Sequence, residues 1–372
     1  MVRRPSRRAR IAQWVFLLAM LGAALFLASN AADNLGRRHL AFGFGYLVNT
    51  ANFDIPFRLI DFGPDDSYAR ALLVCVLNTL LVSAMGIVAA TLIGLLIGLM
   101  RLSSNWLIRN MGLVYIELVR NTPILVQIIF WYVAVLHNLP GPRQSLHLPA
   151  GILLNVRGFY LPMPVLGPWG TLTSLFALAL LVASPFAARL TIAGKSLGKL
   201  ALALPVLAVL LFALGVESID APSLKGFNIS GGVQLPPELA ALWAGLSIYS
   251  GAFIAEIVRS SVQAVSEGQR EAARSIGLKP RLVLSLVVMP QALRMMVPPL
   301  TSQYLNLIKS SSLGAAVAYP EIFQIFAGTV LNKSGREIET FAIVMAIFLS
   351  INLSVSAAMN AYNRRVMLVT AR

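Results

Sequence analysis

The chain has 372 residues, of which 57% are hydrophobic and only 12% are charged, with a formal net charge of +15. A soluble domain carries about 25% charged residues, so this composition excludes a soluble globule and predicts an integral membrane protein. The single cysteine, Cys75, excludes an intrachain disulfide and a multi-cysteine metal site.

The first apolar run follows an arginine-rich start. Residues 1–10 carry five arginines, and an apolar stretch extends from Ile11 to about Asn30. Such a start could belong to a signal peptide, but the run is close to the ~20 residues that cross a membrane, and no small-x-small cleavage site closes it. We therefore interpret it as a retained first membrane helix. Residues 31–70 are polar and turn-rich and form an extramembrane segment.

Hydropathy predicts seven further spans, which gives an all-α, polytopic membrane protein with about eight transmembrane helices. Gly94 and Gly98 form a GxxxG step in the second span, which permits close helix approach. Residues 140–170 and 217–237 are predicted as loops. The further spans lie at about 71–100, from beyond Arg109 to about Leu139, and at about 171–188, 200–216, 239–258, 284–308 and 338–361.

An even number of spans places both termini on one side of the membrane. Loops on that side carry 18 lysines and arginines, against 9 on the opposite side. The positive-inside rule then predicts cytoplasmic N- and C-termini. The basic charge is therefore explained by cytoplasmic loops, and we expect no nucleic-acid partner.

No motif supports nucleotide or metal binding by this chain. The three histidines lack metal-ligand spacing, and neither HExxH nor CxxC occurs. Gly194-Lys195-Ser196 looks like the end of a phosphate-binding loop, but the glycine required earlier is Arg189. We expect no cofactor here. If a nucleotide drives the protein, another subunit must bind it.

Polar residues in the third span mark a candidate translocation pathway, because ionisable groups inside a bilayer are costly. Glu117 and Arg120 share a helix face and could pair. At Asn121-Thr122-Pro123, either a new helix begins with Thr122 as its N-cap, or Pro123 kinks one long helix. The segment either lines a pathway or forms a structural elbow anchored by an ion pair.

A second polar group, Lys309-Ser310-Ser311-Ser312, closes the seventh span. Its ammonium and hydroxyl groups could meet a carboxylate-bearing solute, or they could form a solvated helix end. The prolines at positions 290, 298 and 299 are expected to bend this span rather than to bind a ligand.

A short helix is predicted between the sixth and seventh spans. Ser266 and Gln269 have the spacing of a capping box, Gly277 supplies a left-handed C-terminal position, and Pro280 prevents continuation. About ten residues make a rod of roughly 15 Å, which is half of a bilayer core, so this helix lies at the surface. The loop charges predict that this surface is cytoplasmic.

The same helix carries the most specific motif. Glu271-Ala272-Ala273, then Gly277, then Val287-Val288-Met289-Pro290 resembles the EAA loop of ABC-importer membrane subunits, with conservative replacements at Val287 and Met289. The resemblance implies a coupling helix that docks into a cytoplasmic ABC ATPase dimer, which holds the ATP and Mg²⁺. It assigns ATPase coupling, by position, to Glu271, Ala272, Ala273, Gly277 and Pro290.

Residues 117–127 resemble the R-G-T-P-L-L-V-Q segment of polar amino-acid permeases, with Asn121 in place of glycine. The GFG segment at 43–45 and the inserted helix pair at about 171–216 are similar to the general L-amino-acid and glutamate/glutamine/aspartate/asparagine permease branch. The candidate pathway residues are Glu117, Arg120, Asn121, Thr122, Pro123, Gln127, Lys309, Ser310 and Ser311.

The resemblance implies a type I ABC-importer transmembrane domain with extra helices, located in a bacterial inner membrane. It also implies a similar, non-identical second permease subunit and a periplasmic amino-acid-binding protein, with lipid around the spans. The predicted division is residues 1–70, then a permease domain at 71–365 with its EAA loop at 259–283. The alternatives are an ion-gradient-driven secondary amino-acid transporter and a non-transport scaffold.

Overall fold

The computed structural model describes residues 7–37, 43–187, 191–192, 195–196, 198–226 and 228–368, so the predictions that involve Arg189 and Gly194 lie outside the described residues. The chain is mostly helical, as predicted. Its helices are α1 (Arg7–Arg37), α2 (Tyr68–Arg101), α3 (Trp106–Arg120), α4 (Ile124–Ile129), α5 (Gly170–Ala187), α6 (Gly198–Leu214), α7 (Pro237–Gln263), α8 (Glu267–Ser275), α9 (Pro280–Leu282), α10 (Met289–Ser310), α11 (Leu331–Ser334) and α12 (Glu337–Leu368).

Several helices are extended by turns of other helical types. The segments Phe130–Val135, Val283–Val288 and Phe323–Val330 are π-helical. Ser311–Val317, which continues α10, is a 3₁₀ helix. Shorter 3₁₀ turns lie at Phe44–Val48, Leu136–Asn138, Pro142–Gln144 and Pro149–Gly151.

The predicted count of about eight spans is not confirmed. Among the described residues, four helices are long and apolar enough to cross a membrane, or five if the bent pair α3–α4 forms one span. α1, α5 and α6 contribute shorter apolar stretches, Ile11–Ala23, Gly170–Leu181 and Ala203–Leu214. Their described apolar stretches are too short for the criterion that the other four satisfy.

The two segments predicted as loops, 140–170 and 217–237, contain short strands, so the all-α expectation holds for the spans but not between them. Burial alternates along two of these strands, Ile152–Asn155 and Gly158–Leu161. One sheet has the order β1-β2-β3-β10, and β4–β7, β5–β6 and β8–β9 form pairs. The strands are β1 (Leu146–Leu148), β2 (Ile152–Asn155), β3 (Gly158–Leu161), β4 (Met163–Leu166), β5 (Thr191–Ile192), β6 (Lys195–Ser196), β7 (Val216–Asp220), β8 (Ser223–Lys225), β9 (Asn228–Ser230) and β10 (Val233–Leu235).

Helices α2 and α7 form the central contact of the molecule. A Cβ added at Gly94 would lie 2.4 Å from Cγ2 of Ile254, and one added at Gly98 would lie 2.8 Å from Cβ of Val258. Only glycine therefore allows the two helices to lie at this separation. The close approach predicted from the GxxxG step is confirmed.

A second core ties the segment before α2 to the C-terminal part of the chain. Tyr46, Phe62 and Tyr68 pack with Ile325 and Phe326 of the last π segment. The hydroxyl groups of Tyr46 and Thr340 also lie 3.1 Å apart. The extramembrane segment predicted before the second span is thus part of the fold rather than a free tail.

Candidate functional site

The ends of α8 show how local sequence sets the shape of the candidate coupling loop. Ser266 is the N-cap, but its side chain makes no capping hydrogen bond, so the predicted capping-box bond is wrong. Gly277 has a φ of +83°, as predicted. Its N–H donates to the Arg274 carbonyl at 2.9 Å, and the Leu278 N–H donates to the Ala273 carbonyl at 3.2 Å. These two bonds form a Schellman motif, which ends the helix and reverses the chain.

Helix α8 has an inward face and an outward face. Ala273 is 6% exposed and packs into the main core with Val265 and Val283. Glu271 and Ala272 are exposed on the opposite face. The two alanines therefore differ in their surroundings. Ala273 allows α8 to pack closely against the main core, and Ala272 adds only a methyl group to the exposed surface.

Two further residues complete this loop. Pro290 is the second residue of α10, directly after the π segment Val283–Val288, so the helix runs through a residue that has no N–H to donate. Ile276, at the end of α8, is 78% exposed. Sequence reasoning did not select Ile276, although an isoleucine beside a helix-ending glycine on a predicted surface helix is a usable signal.

The candidate pathway segment contains a sharp bend of 100° between α3 and the helix that begins with α4. A new helix begins at Ile124, with Pro123 at its N-cap. Of the two predicted alternatives, the new helix is correct, but the assignment of Thr122 as N-cap is wrong. Its hydroxyl instead donates back to the Leu118 carbonyl at 2.8 Å. Proline disfavours the helical conformation in the residue before it, so α3 ends there.

The predicted ion pair between Glu117 and Arg120 is absent from the described structure. Glu117 accepts a hydrogen bond from the Asn121 side chain at 3.2 Å. The Arg120 guanidinium lies 5.0 Å from the centre of the Phe253 ring. Both charged side chains are exposed, so the bend is not anchored by the pair.

Gln127 stabilises the bend instead. Its side-chain amide donates to the carbonyls of Val119 at 2.9 Å and Thr122 at 3.1 Å. At the end of α3 the Val119 carbonyl keeps only a long, 3.4 Å bond from the Thr122 N–H, so the Gln127 side chain compensates for the break. Gln127, selected from the resemblance as a pathway candidate, thus holds the elbow through its amide.

The second candidate group lies beside this elbow. The 3₁₀ segment Ser311–Val317 contacts α4. Lys309 is exposed, whereas Ser311 is buried and its hydroxyl donates to the Ile308 carbonyl at 2.6 Å. The segment that follows Lys309 therefore lies against the second arm of the elbow, Lys309 is exposed, and the Ser311 hydroxyl is used within the helix end.

Sequence reasoning missed a buried polar cluster next to these elements. The Asn78 side chain donates to the carbonyls of Phe57 and Pro320, each at 2.9 Å, and the Tyr319 hydroxyl donates to the Asn78 carbonyl at 3.0 Å. Glu321 is fully buried. The available signal was an isolated acidic residue after proline in an otherwise apolar stretch.

Two backbone hydrogen bonds stabilise the buried carboxylate of Glu321. Its carboxylate accepts from the N–H groups of Phe323 and Gln324 at 2.8 and 2.7 Å. It therefore caps the N-terminus of the last π segment, where a negative charge is favoured. Across the described part of the chain, no group of three His, Cys, Asp or Glu side chains is arranged to hold a metal.

Comparison with known proteins gives a family match and several similar sequences. Residues 86–368 match the family described as binding-protein-dependent transport system inner membrane component. An amino-acid ABC transporter permease protein of Escherichia coli (strain K12), YhdX, is 46% identical, over 98% of this chain and 95% of its own. The general L-amino acid transport system permease protein AapQ of Rhizobium johnstonii is 42% identical, over 98% and 94%.

A third relative and one solved structure extend the comparison. The glutamate/glutamine/aspartate/asparagine transport system permease protein BztB of Rhodobacter capsulatus is 37% identical, over 96% of this chain and 93% of its own. A crystal structure of an amino acid ABC transporter with histidines has a TM-score of 0.50 at 21% identity, and the match covers 80% of this chain and 95% of that one. The structural likeness supports the type I importer fold.

Proposed function

Because this chain belongs to the family of binding-protein-dependent transport system inner membrane components, we propose that it is the permease subunit of an ATP-driven importer for polar or general L-amino acids. The chain is a transport component rather than an enzyme. A family defined by its dependence on a binding protein gives no support to an ion-gradient-driven secondary transporter. The amino-acid substrate class is inferred from the relatives, which are named as amino-acid permeases.

The outward face of α8 is the observation that carries the proposal. Glu271 and Ala272 are exposed on the short helix that follows α7, and the Schellman motif at Gly277 fixes the end of that helix. We propose that an ATPase dimer docks on this face. ATP and Mg²⁺ belong to that partner, so this chain needs no cofactor.

The remaining partners follow from the same assignment. We propose that both termini and α8 are cytoplasmic, as the basic loops predict. The β-rich segments between the spans then face the periplasm and the amino-acid-binding protein. A second, similar but non-identical permease subunit completes the translocation pathway.

Within this chain, the proposed pathway element is the elbow and its neighbour. Arg120 and Lys309 carry exposed positive charges, and the bend that follows Arg120 is held by internal hydrogen bonds. A cation on a rigid support suits the carboxylate that all amino acids share. Glu117, Asn121, Thr122, Pro123, Gln127, Ser310 and Ser311 would act by shaping this surface.

The decisive experiment reverses one charge on each side of the membrane. In a strain lacking the native gene, Glu271→Lys is expected to lower uptake of labelled glutamate, leucine and histidine at least tenfold and to prevent co-purification of the ATPase. The same change at Glu217, an exposed residue of β7, is the matched control and should leave ATPase association unchanged. Normal uptake and normal ATPase association in the Glu271→Lys transporter would overturn the coupling assignment.

A further inference from the structure

A cavity of about 330 Å³ lies between α8, the end of α2 and the turn that leads into α10. Its walls are mostly apolar, with Leu99 of α2 and Leu284 and Met289 on the opposite side. Among the described residues, Arg270 and Arg274 are the only charged side chains that line it. This combination of hydrocarbon walls and two guanidinium groups is not used by the proposed coupling contact.

The two arginines line the cavity from α8. They are four residues apart, and Arg270 is half-buried whereas Arg274 is exposed. Positions three and four apart share a helix face. Arg270 and Arg274 therefore border the cavity from one face of α8, which is distinct from the Glu271 and Ala272 positions assigned to the ATPase.

The hydrogen-bonding capacity of these guanidinium groups is incompletely used. Arg270 donates to the Val262 carbonyl at 2.5 Å and approaches Glu267 at 3.4 Å, but its Nε is buried without a partner. Within the described residues, Arg274 has neither an ion pair nor a side-chain hydrogen bond. Guanidinium groups with free donors recognise phosphate oxygens in a fixed geometry.

The cavity lies beside the ends of two candidate membrane spans. Leu99 is 57% exposed and Leu284 is 47% exposed, and both lie near those ends. A ligand in the cavity would therefore contact hydrocarbon walls and positive charge together. Basic pockets at the cytoplasmic ends of membrane helices have the chemistry that selects anionic lipid headgroups.

We propose that this cavity binds an anionic phospholipid, with its phosphate against Arg270 and Arg274 and an acyl chain along Leu99 and Leu284. The bound lipid bridges the arginine-bearing face of α8 and the π segment Val283–Val288, so it stabilises the orientation of the coupling helix. This inference rests on the membrane placement in the proposed function but not on the transported substrate.

The test measures lipid retained by the complete transporter, purified with its ATPase. Native mass spectrometry after exchange into phosphatidylglycerol should find lipid retained by the unmodified complex, and phosphatidylethanolamine should not replace it. Arg274→Gln is expected to reduce retention about fivefold, the effect of losing one basic contact with an anionic headgroup. Arg281→Gln is the matched control, because Arg281 is exposed near the cavity but does not line it.

A second variant and a second ligand separate the competing explanations. Leu284→Ser should weaken retention without changing any charge, so it tests the acyl-chain wall if Arg274→Gln fails to assemble. Inorganic phosphate at about 10 mM should not displace the lipid, because it cannot use the apolar walls. Displacement by phosphate, or equal retention by all variants, would overturn the proposal.

The remaining outcome distinguishes lipid binding from ATPase docking. If Arg274→Gln loses the ATPase while keeping its lipid, the arginine belongs to the subunit contact and the lipid site is rejected. Amino-acid uptake does not enter this measurement. A wrong substrate assignment would therefore leave the lipid result standing.

Discussion

The α2–α7 pair and the α5–α6 pair are both apolar, yet they use their side chains in opposite ways. In α2–α7, glycines face the partner helix, and residues such as Leu246 and Ile254 are completely buried. In α5–α6, the two helices mainly contact each other, and Phe176 and Val209 are each 64% exposed. The first pair is the scaffold of the chain, and the second is an appended element.

Hydropathy does not separate these pairs, because lipid and a protein core are similarly apolar environments. What separates them is where small residues recur. In a membrane, helices gain little from burying large apolar side chains, so close approach through glycine decides which helices associate. The inserted pair presents its large side chains outward, which suits lipid.

The largest expected effect is at the scaffold contact. Gly94→Ala places a Cβ within 2.4 Å of Ile254 and 3.0 Å of the Gly251 carbonyl, so the helices must separate. We expect a destabilisation of about 3 kcal/mol, the upper end of the usual cost of overpacking. The apparent melting temperature of the solubilised transporter measures it.

Gly328→Ala is the matched control, because no atom lies within 4 Å of a Cβ built there. Equal melting temperatures for the two alanine variants would contradict the scaffold assignment.

The next effect concerns the buried polar ties of α2. Asn78→Leu removes the donors to the Phe57 and Pro320 carbonyls, which then stay buried without partners. The expected cost is about 2 kcal/mol, the lower end for two orphaned groups that each cost roughly 1–3 kcal/mol. Ser184→Ala, which removes an exposed hydroxyl in α5, should shift the melting temperature by far less. Similar shifts of the melting temperature in both variants would contradict the difference between the α2–α7 pair and the α5–α6 pair.

A smaller effect is expected from removing the appended pair entirely. The Gly167 N–H donates to the Gly215 carbonyl at 3.0 Å, so the two ends of the insertion meet. Excision of residues 168–214, with one glycine as the join, should leave the β4–β7 pairing and the scaffold melting temperature nearly unchanged. The melting temperature and the size-exclusion profile of the excised transporter check this, and a lower melting temperature or aggregation would show that α5–α6 belongs to the scaffold.

The smallest effect should remain inside the appended pair. A Cβ at Gly215 would lie 2.0 Å from the Thr173 hydroxyl, so Gly215→Ala forces the start of α5 to move. Hydrogen exchange is expected to increase in peptides around residues 170–174 and to stay constant in α2 and α7. Faster exchange in α7 would mean that the pairs are coupled.

The coupling loop could be predicted from sequence because its determinants are local. A helix-ending glycine and a following proline act within a few residues. The end of α8 predicted from Gly277 and Pro280 is therefore confirmed. The orientation of Ala273 could not be predicted, because it depends on contacts with Val265 and Val283 from other elements. The resemblance identified the motif, but only tertiary packing shows which of its residues are buried and which are exposed.

The elbow at Pro123 and the strands were harder to predict, because their determinants are not local in sequence. At Pro123 the sequence left two conformations open, and the Gln127 hydrogen bonds that favour one of them cross the break. The strands of segments 140–170 and 217–237 pair across the inserted helices, as in β3 with β10. Such pairing between distant segments leaves only a weak alternation in each short strand.

The π segment Val283–Val288 has a mechanical consequence for the helix that follows it. A π turn holds one residue more than an α turn, so conversion to α-helix shifts the register by one position. That shift turns the following helix by about 100° and moves it by about 1.5 Å along its axis. This segment contacts α8 and continues into α10. Its conversion to α-helix would therefore rotate and translate α10 relative to α8 by a fixed amount. The amplitude of that movement is set by backbone geometry rather than by elastic bending.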